Sequence, residues 1–462
     1  MGDCVNRRQR WWVLGCALGL VACGGEKAKP AEPAPAVTGA LKSEETSPAQ
    51  GTNPASQGAA APSADSPTAL PETLKNGLLL AYAQFEVEGG KVLPKPGPAR
   101  LEILTRKNGA FRVEVLEDED SNVFHKAMAY TPKGGAPGIL TFGGMAAAVK
   151  LWHRKGDTFA SRTLWTEKFG GKWDRMRDGE VGDLYGDGQP AIAVATHDQG
   201  IVAALRPAAG GEFKVEKLGS RPDTFVHEIE LGDLNGDNVM EVYATPSEPN
   251  KLEGGAQEGL VWRFVPKEKQ GPTVAADLGN RHAKEILVAD VDGDRRQELY
   301  VAVEALTAGK GDNLRIVQPV EIRRYDADTP PDQGQVIAQL PDRLCRFLTV
   351  GDVDGDGRKE MVAAAYRSGL WLLSPPAGKG EWKKKNIDRQ SSGFEHAAVF
   401  ADLDEDGKDE LYVAADEQGE LRRYVFDKDG SSHRETIHRR DIPSSMMTWN
   451  IMPVPLSTVD KP

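Results

Sequence analysis

Short apolar runs punctuated by acidic, glycine-rich loops recur along most of the chain. The runs Ile192 to Thr196, Val242 to Thr245, Leu299 to Val303, Met361 to Tyr366 and Leu411 to Ala415 have the length and β-branched content of buried strands. Each is followed by a Gly-led or charged strand such as Gly200 to Arg206, Gly259 to Phe264, Gly369 to Leu373 or Gly419 to Tyr424, and then by a polar strand such as Phe213 to Leu218. Immediately before each apolar run stands the same loop: Val181 to Ala191, Leu231 to Glu241, Val288 to Glu298, Val350 to Glu360 and Phe400 to Glu410 align without gaps. A degenerate copy, Met128 to Gly138, keeps the length and loses every acid. One loop and four short strands per roughly 50 to 60 residues is the arithmetic of a propeller blade. EF-hands would need helices on both sides of the loop, and these flanks are β-rich and short.

Flanking segments complete the plan. Leu78 to Phe85, Arg100 to Thr105 and Phe111 to Leu116 supply three strands before the first repeat, and Thr448 to Val454 supplies one after the last. Three plus one makes a further blade, so the reading is an all-β, seven-bladed propeller with the C-terminal strand closing against N-terminal ones, and six blades as the alternative.

The loops carry the candidate chemistry. Counted from the first aspartate, positions 1, 3 and 5 offer side-chain oxygens, position 7 a backbone carbonyl and position 9 a carboxylate, the oxygen-rich ligand set of a hard cation. Two carboxylates 4 Å apart repel by about 4 kcal/mol at an effective dielectric of 20, so such a cluster calls for a counter-cation. Carbonyl participation and a flexible loop favour Ca²⁺ over Mg²⁺. Complete sets are Asp290, Asp292, Asp294 and Glu298; Asp352, Asp354, Asp356 and Glu360; and Asp402, Asp404, Asp406 and Glu410. Asp233, Asn235, Asp237 and Glu241 replace one carboxylate by an amide. The seventh-position carbonyls belong to Val239, Arg296, Arg358 and Lys408. Tyr185 and Ala191 interrupt the first loop, leaving Asp183 and Asp187 as a weak fifth site. The expectation is about four structural calcium ions, each stiffening the turn between the first two strands of a blade.

These loops resemble the FG-GAP or VCBS repeats, whose best-known member is the propeller of integrin α-chains. The resemblance spans roughly residues 120 to 430. It implies that the loops share one rim and that a partner is received on the opposite face, where the long insertions Pro246 to Glu258 and Glu304 to Asn313 fall. Six residues before the loop aspartates stand Arg177, His227, Lys284, Arg346 and His396, all basic types. Their register suggests a ring at the mouth of the central channel for an anionic ligand such as a uronate, phosphate or carboxylate.

The N-terminus changes the setting. Arg7, Arg8 and Arg10 precede an apolar run from Trp11 to Leu20, the shape of a secretory signal. Leu20-Val21-Ala22-Cys23 resembles the lipobox of bacterial lipoproteins, which implies a signal peptide over 1–22 and a lipid on Cys23. Residues 23–72, nearly all Ala, Pro, Ser, Thr, Gly, Glu and Lys, read as a disordered tether before a propeller over 73–462. Gly24 after the cysteine suggests outer-membrane sorting. Cys345 is then the one remaining thiol apart from Cys23, so no intrachain disulfide is available to stiffen the fold.

Composition narrows the function. A net charge of −12 over 462 residues argues against nucleic-acid binding, and much of that acidity sits in the loops. No H-E-x-x-H, G-x-S-x-G or Gly-rich phosphate loop occurs. The sequence therefore points to a calcium-binding, lipid-anchored envelope module that recognises an envelope or extracellular protein or an anionic glycan. It would touch the membrane only through its lipid. A polysaccharide lyase or hydrolase, or a structural scaffold subunit of an envelope complex, stands as the alternative.

Overall fold

The computed structural model describes residues 69 to 461 apart from 90, 145, 171–173, 198, 223, 248–255, 379 and 441–445. The expected signal peptide, Cys23 and all but the end of the expected tether lie outside the described residues.

Seven antiparallel sheets are arranged as propeller blades. Blade 1 runs Phe124–Tyr130, Gly138–Gly143, Ala148–Lys155 and Thr158–Thr166. Blade 2 begins with Met176–Gly182 and Ala191–Thr196, and blade 3 with Phe225–Gly232 and Glu241–Ser247. Ala283–Ala289 and Glu298–Val303 open blade 4, Cys345–Gly351 and Glu360–Ala365 blade 5, Ala398–Ala401 and Glu410–Ala415 blade 6. In blades 2 to 6 the acidic loop joins the innermost strand to the second, as the repeat predicts, and in blade 1 the degenerate copy takes that place.

Blade 7 closes the ring. Met446–Pro455 pairs with Asn76–Glu88 in a register that runs from Asn76 opposite Pro455 to Gln84 opposite Met446. Ala99–Lys107 and Ala110–Asp118 complete this blade, so three strands come from the N-terminal side and one from the C-terminal side. A fifth strand, Lys91–Pro96, pairs with the outer end of Asn76–Glu88 and has no counterpart in the sequence reading. Blade 4 also carries an unanticipated ribbon, Leu306–Ala308 with Arg315–Gln318, within the expected insertion.

The core lies between blades. Seven apolar clusters each join two neighbours, for example Val242, Ala244 and Phe264 of blade 3 with Val194's neighbours Ala193 and Ala195 of blade 2. Tyr243 of the same strand points the other way, against Ile286 and Val301 of blade 4. Because alternate side chains meet opposite neighbours, second strands are apolar on both faces, which is why they appear as continuous apolar runs. The small residue before each loop aspartate has the same origin. A Cβ on Gly232 would lie 2.0 Å from Cγ1 of Val288, and one on Gly351 2.6 Å from Phe400 Cγ. Among the described residues no helix is long and apolar enough to cross a membrane.

Candidate metal loops and central channel

Each loop is first a backbone device. The carboxylate of position 1 accepts N–H groups from across its own turn: Asp237 N and Asn238 N bond Asp233 at 3.0 and 2.7 Å, and Asp356 N and Gly357 N bond Asp352 at 3.1 and 2.8 Å. Position 5 accepts from position 7, with Val239, Arg296, Arg358 and Lys408 donating at 2.8 to 2.9 Å. Positions 4 and 6 are left-handed in all five loops: Gly186 and Gly188, Gly236 and Asn238, Gly293 and Arg295, Gly355 and Gly357, Glu405 and Gly407. That conformation suits glycine, so Arg295 (φ 70°) and Glu405 (φ 58°) are held there against their preference. Neighbouring loops are also tied together: Met240 N donates to Asp183 O at 3.2 Å, Lys359 N to Val291 O at 3.0 Å, and Asp409 N to Asp352 O at 2.9 Å.

The backbone frame aims the acids inward in three blades. Oxygens of Asp290, Asp292 and Asp294, of Asp352, Asp354 and Asp356, and of Asp402, Asp404 and Asp406 converge within 4.8 Å of one another, a donor set that fits a hard divalent cation. The blade 3 loop differs, because Asn235 Nδ2 donates to Asp237 Oδ2 at 3.3 Å. In blade 2 Arg206 Nη2 lies 2.6 Å from Asp187 Oδ2, and that hydrogen bond holds the Asp187 carboxyl below the usual range. Asp183 and Asp187 thus keep the turn, with an arginine supplying positive charge.

The ninth-position glutamates stand apart from the aspartate triads. Glu298 accepts from Tyr300 Oη at 2.9 Å and lies 3.3 Å from Arg324 Nη2, whose Nη1 is 2.7 Å from Asp292 Oδ2. Glu410 repeats this with Tyr412 Oη at 3.0 Å and Arg423 Nη2 at 3.0 Å, the latter also 2.9 Å from Asp404 Oδ2. Glu241 is bonded by Tyr243 and Arg263. In these blades a guanidinium from the third strand takes up the ninth-position charge. Blade 5 has no such partner. Val362 and Leu372 stand at the Tyr and Arg positions, and Glu360 Oε2 is buried with no hydrogen-bond partner. Burial, with Asp354 beside it, pushes the Glu360 carboxyl up to about 7. This difference was readable as Glu-x-Tyr in three repeats against Glu360-Met361-Val362 in the fourth.

The basic column is placed at the strand starts but is buried. Arg177, Lys284 and Arg346 line one small cavity of the channel, with Trp449, His125 and acidic neighbours. His227 sits beside His282, with ring centroids 5.2 Å apart. His396 leaves the group: Nδ1 meets Ala365 O at 2.8 Å and Nε2 meets Ser391 Oγ at 2.7 Å. That Ser–His pair has the spacing of a nucleophile and base, but Ser391 is fully buried and offers a substrate no approach. Instead of a solvated ring at the mouth, the channel end is a packed layer in which Lys284 pairs with Glu395. The sole described thiol, Cys345, is buried, which raises its pKa well above the ordinary value.

A larger recess lies on the loop face. A groove of about 880 Å³ between blades 4 and 5 is lined by Asp292, Asp294, Arg324, Gln335, Arg358 and Trp382, among others.

Comparison with known proteins agrees with the repeat reading over part of the chain. The model of the FG-GAP-like repeat matches residues 352–413, from the blade 5 loop into the second strand of blade 6. No curated protein matches. Among solved structures, one describing specific recognition of non-reducing terminal N-acetylglucosamine by an Agrocybe aegerita lectin is 13% identical, covers 84% of this chain and 97% of its own, and superposes with a TM-score of 0.49. The protein is a seven-bladed propeller that carries an FG-GAP-like repeat.

Proposed function

We propose that this chain is a non-catalytic binding propeller whose acidic loops take calcium, and that it engages a saccharide or the exposed part of a protein in the groove between blades 4 and 5. The observation that carries this reading is the groove itself: one recess combines Trp382, able to stack on the apolar face of a sugar ring, with the amide of Gln335, two arginines and the carboxylates of a metal-fitting loop. Calcium in the blade 4 and 5 loops would brace both walls, and the oxygen donors of a hydroxyl-rich ligand suit a hard cation. This places recognition on the loop face rather than on the insertion-bearing face expected from the resemblance. That second face keeps a claim through the blade 4 ribbon, where Ile316 and Val317 are exposed.

We further propose that the propeller over 73–462 is exported by the signal over 1–22, anchored through lipidated Cys23, and carried on the tether over 23–72 at the outer membrane. The test is binding to arrayed glycans and to envelope extracts in calcium and in EGTA, with Gln335→Ala and Trp382→Ala beside the native chain. Loss of binding on chelation and in both variants supports the groove. Binding unchanged by all three overturns it, and loss on replacing Ile316 and Val317 with Ser transfers the site to the ribbon.

A further inference from the structure

Donors outnumber acceptors at the insertion-bearing end of the channel. Arg346 is fully buried, and none of its Nε, Nη1 and Nη2 atoms makes a hydrogen bond. Its ion pair among the described residues, to Glu304 Oε1 at 3.3 Å, lacks hydrogen-bond alignment, and the guanidinium also faces the Phe394 ring at 5.1 Å. His227 and His282 are buried with neither ring nitrogen bonded. Burial and their mutual proximity to cations keep both imidazoles neutral, with the His282 pKa lowered to about 3, and a neutral imidazole always retains one N–H. Trp449 Nε1 is a further buried donor without an acceptor. Its ring lies 4.9 Å from the Arg177 guanidinium. Each orphaned buried donor costs about 1–3 kcal/mol, and a charged one more.

Two nearby acceptors, Glu304 Oε1 and Asn450 Oδ1, are buried without a hydrogen bond, and the other carboxylates are committed. Glu395 pairs with Lys284. Asp178 accepts Ile229 N–H at 2.9 Å and lies 3.3 Å from Lys126 Nζ. Glu285 accepts Leu348 N–H at 3.0 Å, and burial pushes its pKa to about 8, leaving it mostly protonated at neutral pH. Burial and Asp178 likewise raise Glu228. Beyond the misaligned pair with Glu304, the Arg346 guanidinium has no hydrogen-bonded anion, and Arg177 shares its cavity.

Arg346, Arg177, Lys284 and Trp449, but neither His227 nor His282, line a cavity of about 20 Å³. It admits one water-sized particle, and a uronate, a phosphate or the carboxylate of a larger molecule is too big. We propose that this cavity holds a halide ion, chloride in ordinary buffers, bound by Arg346 and Arg177 inside the channel. A water molecule would satisfy some of the donors but bring no charge, and buried charge is stable only when paired. The bound ion would cross-brace blades 2 and 5 from within, a role distinct from that of the loops on the rim and independent of any ligand in the groove.

Crystals of the native chain grown in sodium bromide instead of sodium chloride, and measured at the bromine edge, test this directly. An anomalous peak within hydrogen-bonding reach of the Arg346 guanidinium supports the site, and ordinary water density there with no anomalous signal overturns it. In solution, at fixed calcium and ionic strength, replacing gluconate by chloride should raise the melting temperature by about 1 °C or more. The rise should vanish in Arg346→Gln, or in Arg177→Gln should the first variant fail to fold. An equal rise in a folded variant, or none in the native chain, contradicts the proposal.

Discussion

Nη1 of Arg324 lies 2.7 Å from Oδ2 of Asp292, so an arginine on the third strand of blade 4 already neutralises part of that blade's acidic loop. The equivalent position in blade 5 is Leu372, opposite Val362. The same motif therefore exists in two electrical states: one braced by a guanidinium from the third strand, the other without it. Calcium should be bound most tightly by the blade 5 loop, because there no third-strand arginine holds an acid, and Arg358, 2.6 Å from Asp356 Oδ2, is a partly exposed side chain that can turn away to solvent.

Exchanging the two positions should exchange the behaviour. Leu372→Arg is expected to weaken the tightest calcium site at least tenfold, about 1.4 kcal/mol in binding free energy, while Arg324→Leu should strengthen the blade 4 site and make stability more calcium-dependent. Calcium titration followed by calorimetry reads both, and equal affinities in native and variant chains would refute the exchange.

The metal-free protein should lose stability as pH rises. Burial raises Glu298, Glu360 and Glu410 to about 7 from an ordinary 4.5. Between those values the folded state holds more protons than the unfolded state, so stability falls as pH climbs from about 4.5 to about 7 and then levels. Calcium replaces the missing protons as counter-charge, so the fall should be reduced when it is present. Melting temperatures across this range, in EGTA and in calcium, give the comparison. Parallel curves would dissociate the carboxylates from the metal.

Relieving the left-handed residues should stabilise the loops. Arg295→Gly and Glu405→Gly remove side chains at φ 70° and 58°, with a net gain of about 0.5–1 kcal/mol each after the extra freedom glycine brings to the unfolded chain. Denaturant midpoints should rise for both and fall for Gly357→Arg, which creates the same strain in blade 5.

Ring closure depends on a buried polar knot. Asp416 accepts Thr448 N–H at 2.7 Å and Arg440 Nη2 at 2.9 Å, linking blade 6 to the closing strand of blade 7. Removing the carboxylate strands a buried guanidinium, so Asp416→Ala should destabilise by about 3–5 kcal/mol. Hydrogen exchange should show the loss first in the pairing of Asn76–Glu88 with Met446–Pro455, and uniform exchange across the blades would argue against a local closure point.

Local repetition made the fold legible. Loop spacing and short apolar runs specified the blades, and the unpaired strands at the two ends, Leu78 to Phe85 and Thr448 to Val454, specified closure. What the loops do to one another was less visible, since Met240 N reaching Asp183 O is a contact between repeats. The role of Arg324 and Arg423 was hidden for a related reason: cross-strand pairing brings them to Glu298 and Glu410, although the Glu-x-Tyr signature beside them was in plain view. The column from Arg177 to His396 was found by register, but register cannot distinguish a solvated strand end from a packed channel. Burial there depends on seven inner strands converging on one axis.

The central claim, that calcium braces this propeller chiefly through blade 5, rests most directly on a titration of EGTA-stripped protein. Calcium should bind the native chain exothermically or endothermically with one site tighter than the rest and raise the melting temperature. Asp352→Asn combined with Asp354→Asn should abolish that tightest site and most of the rise, whereas the matching blade 4 pair, Asp290→Asn with Asp292→Asn, should leave it. Absence of calcium binding, or loss of the tightest site only in the blade 4 variant, would contradict the account.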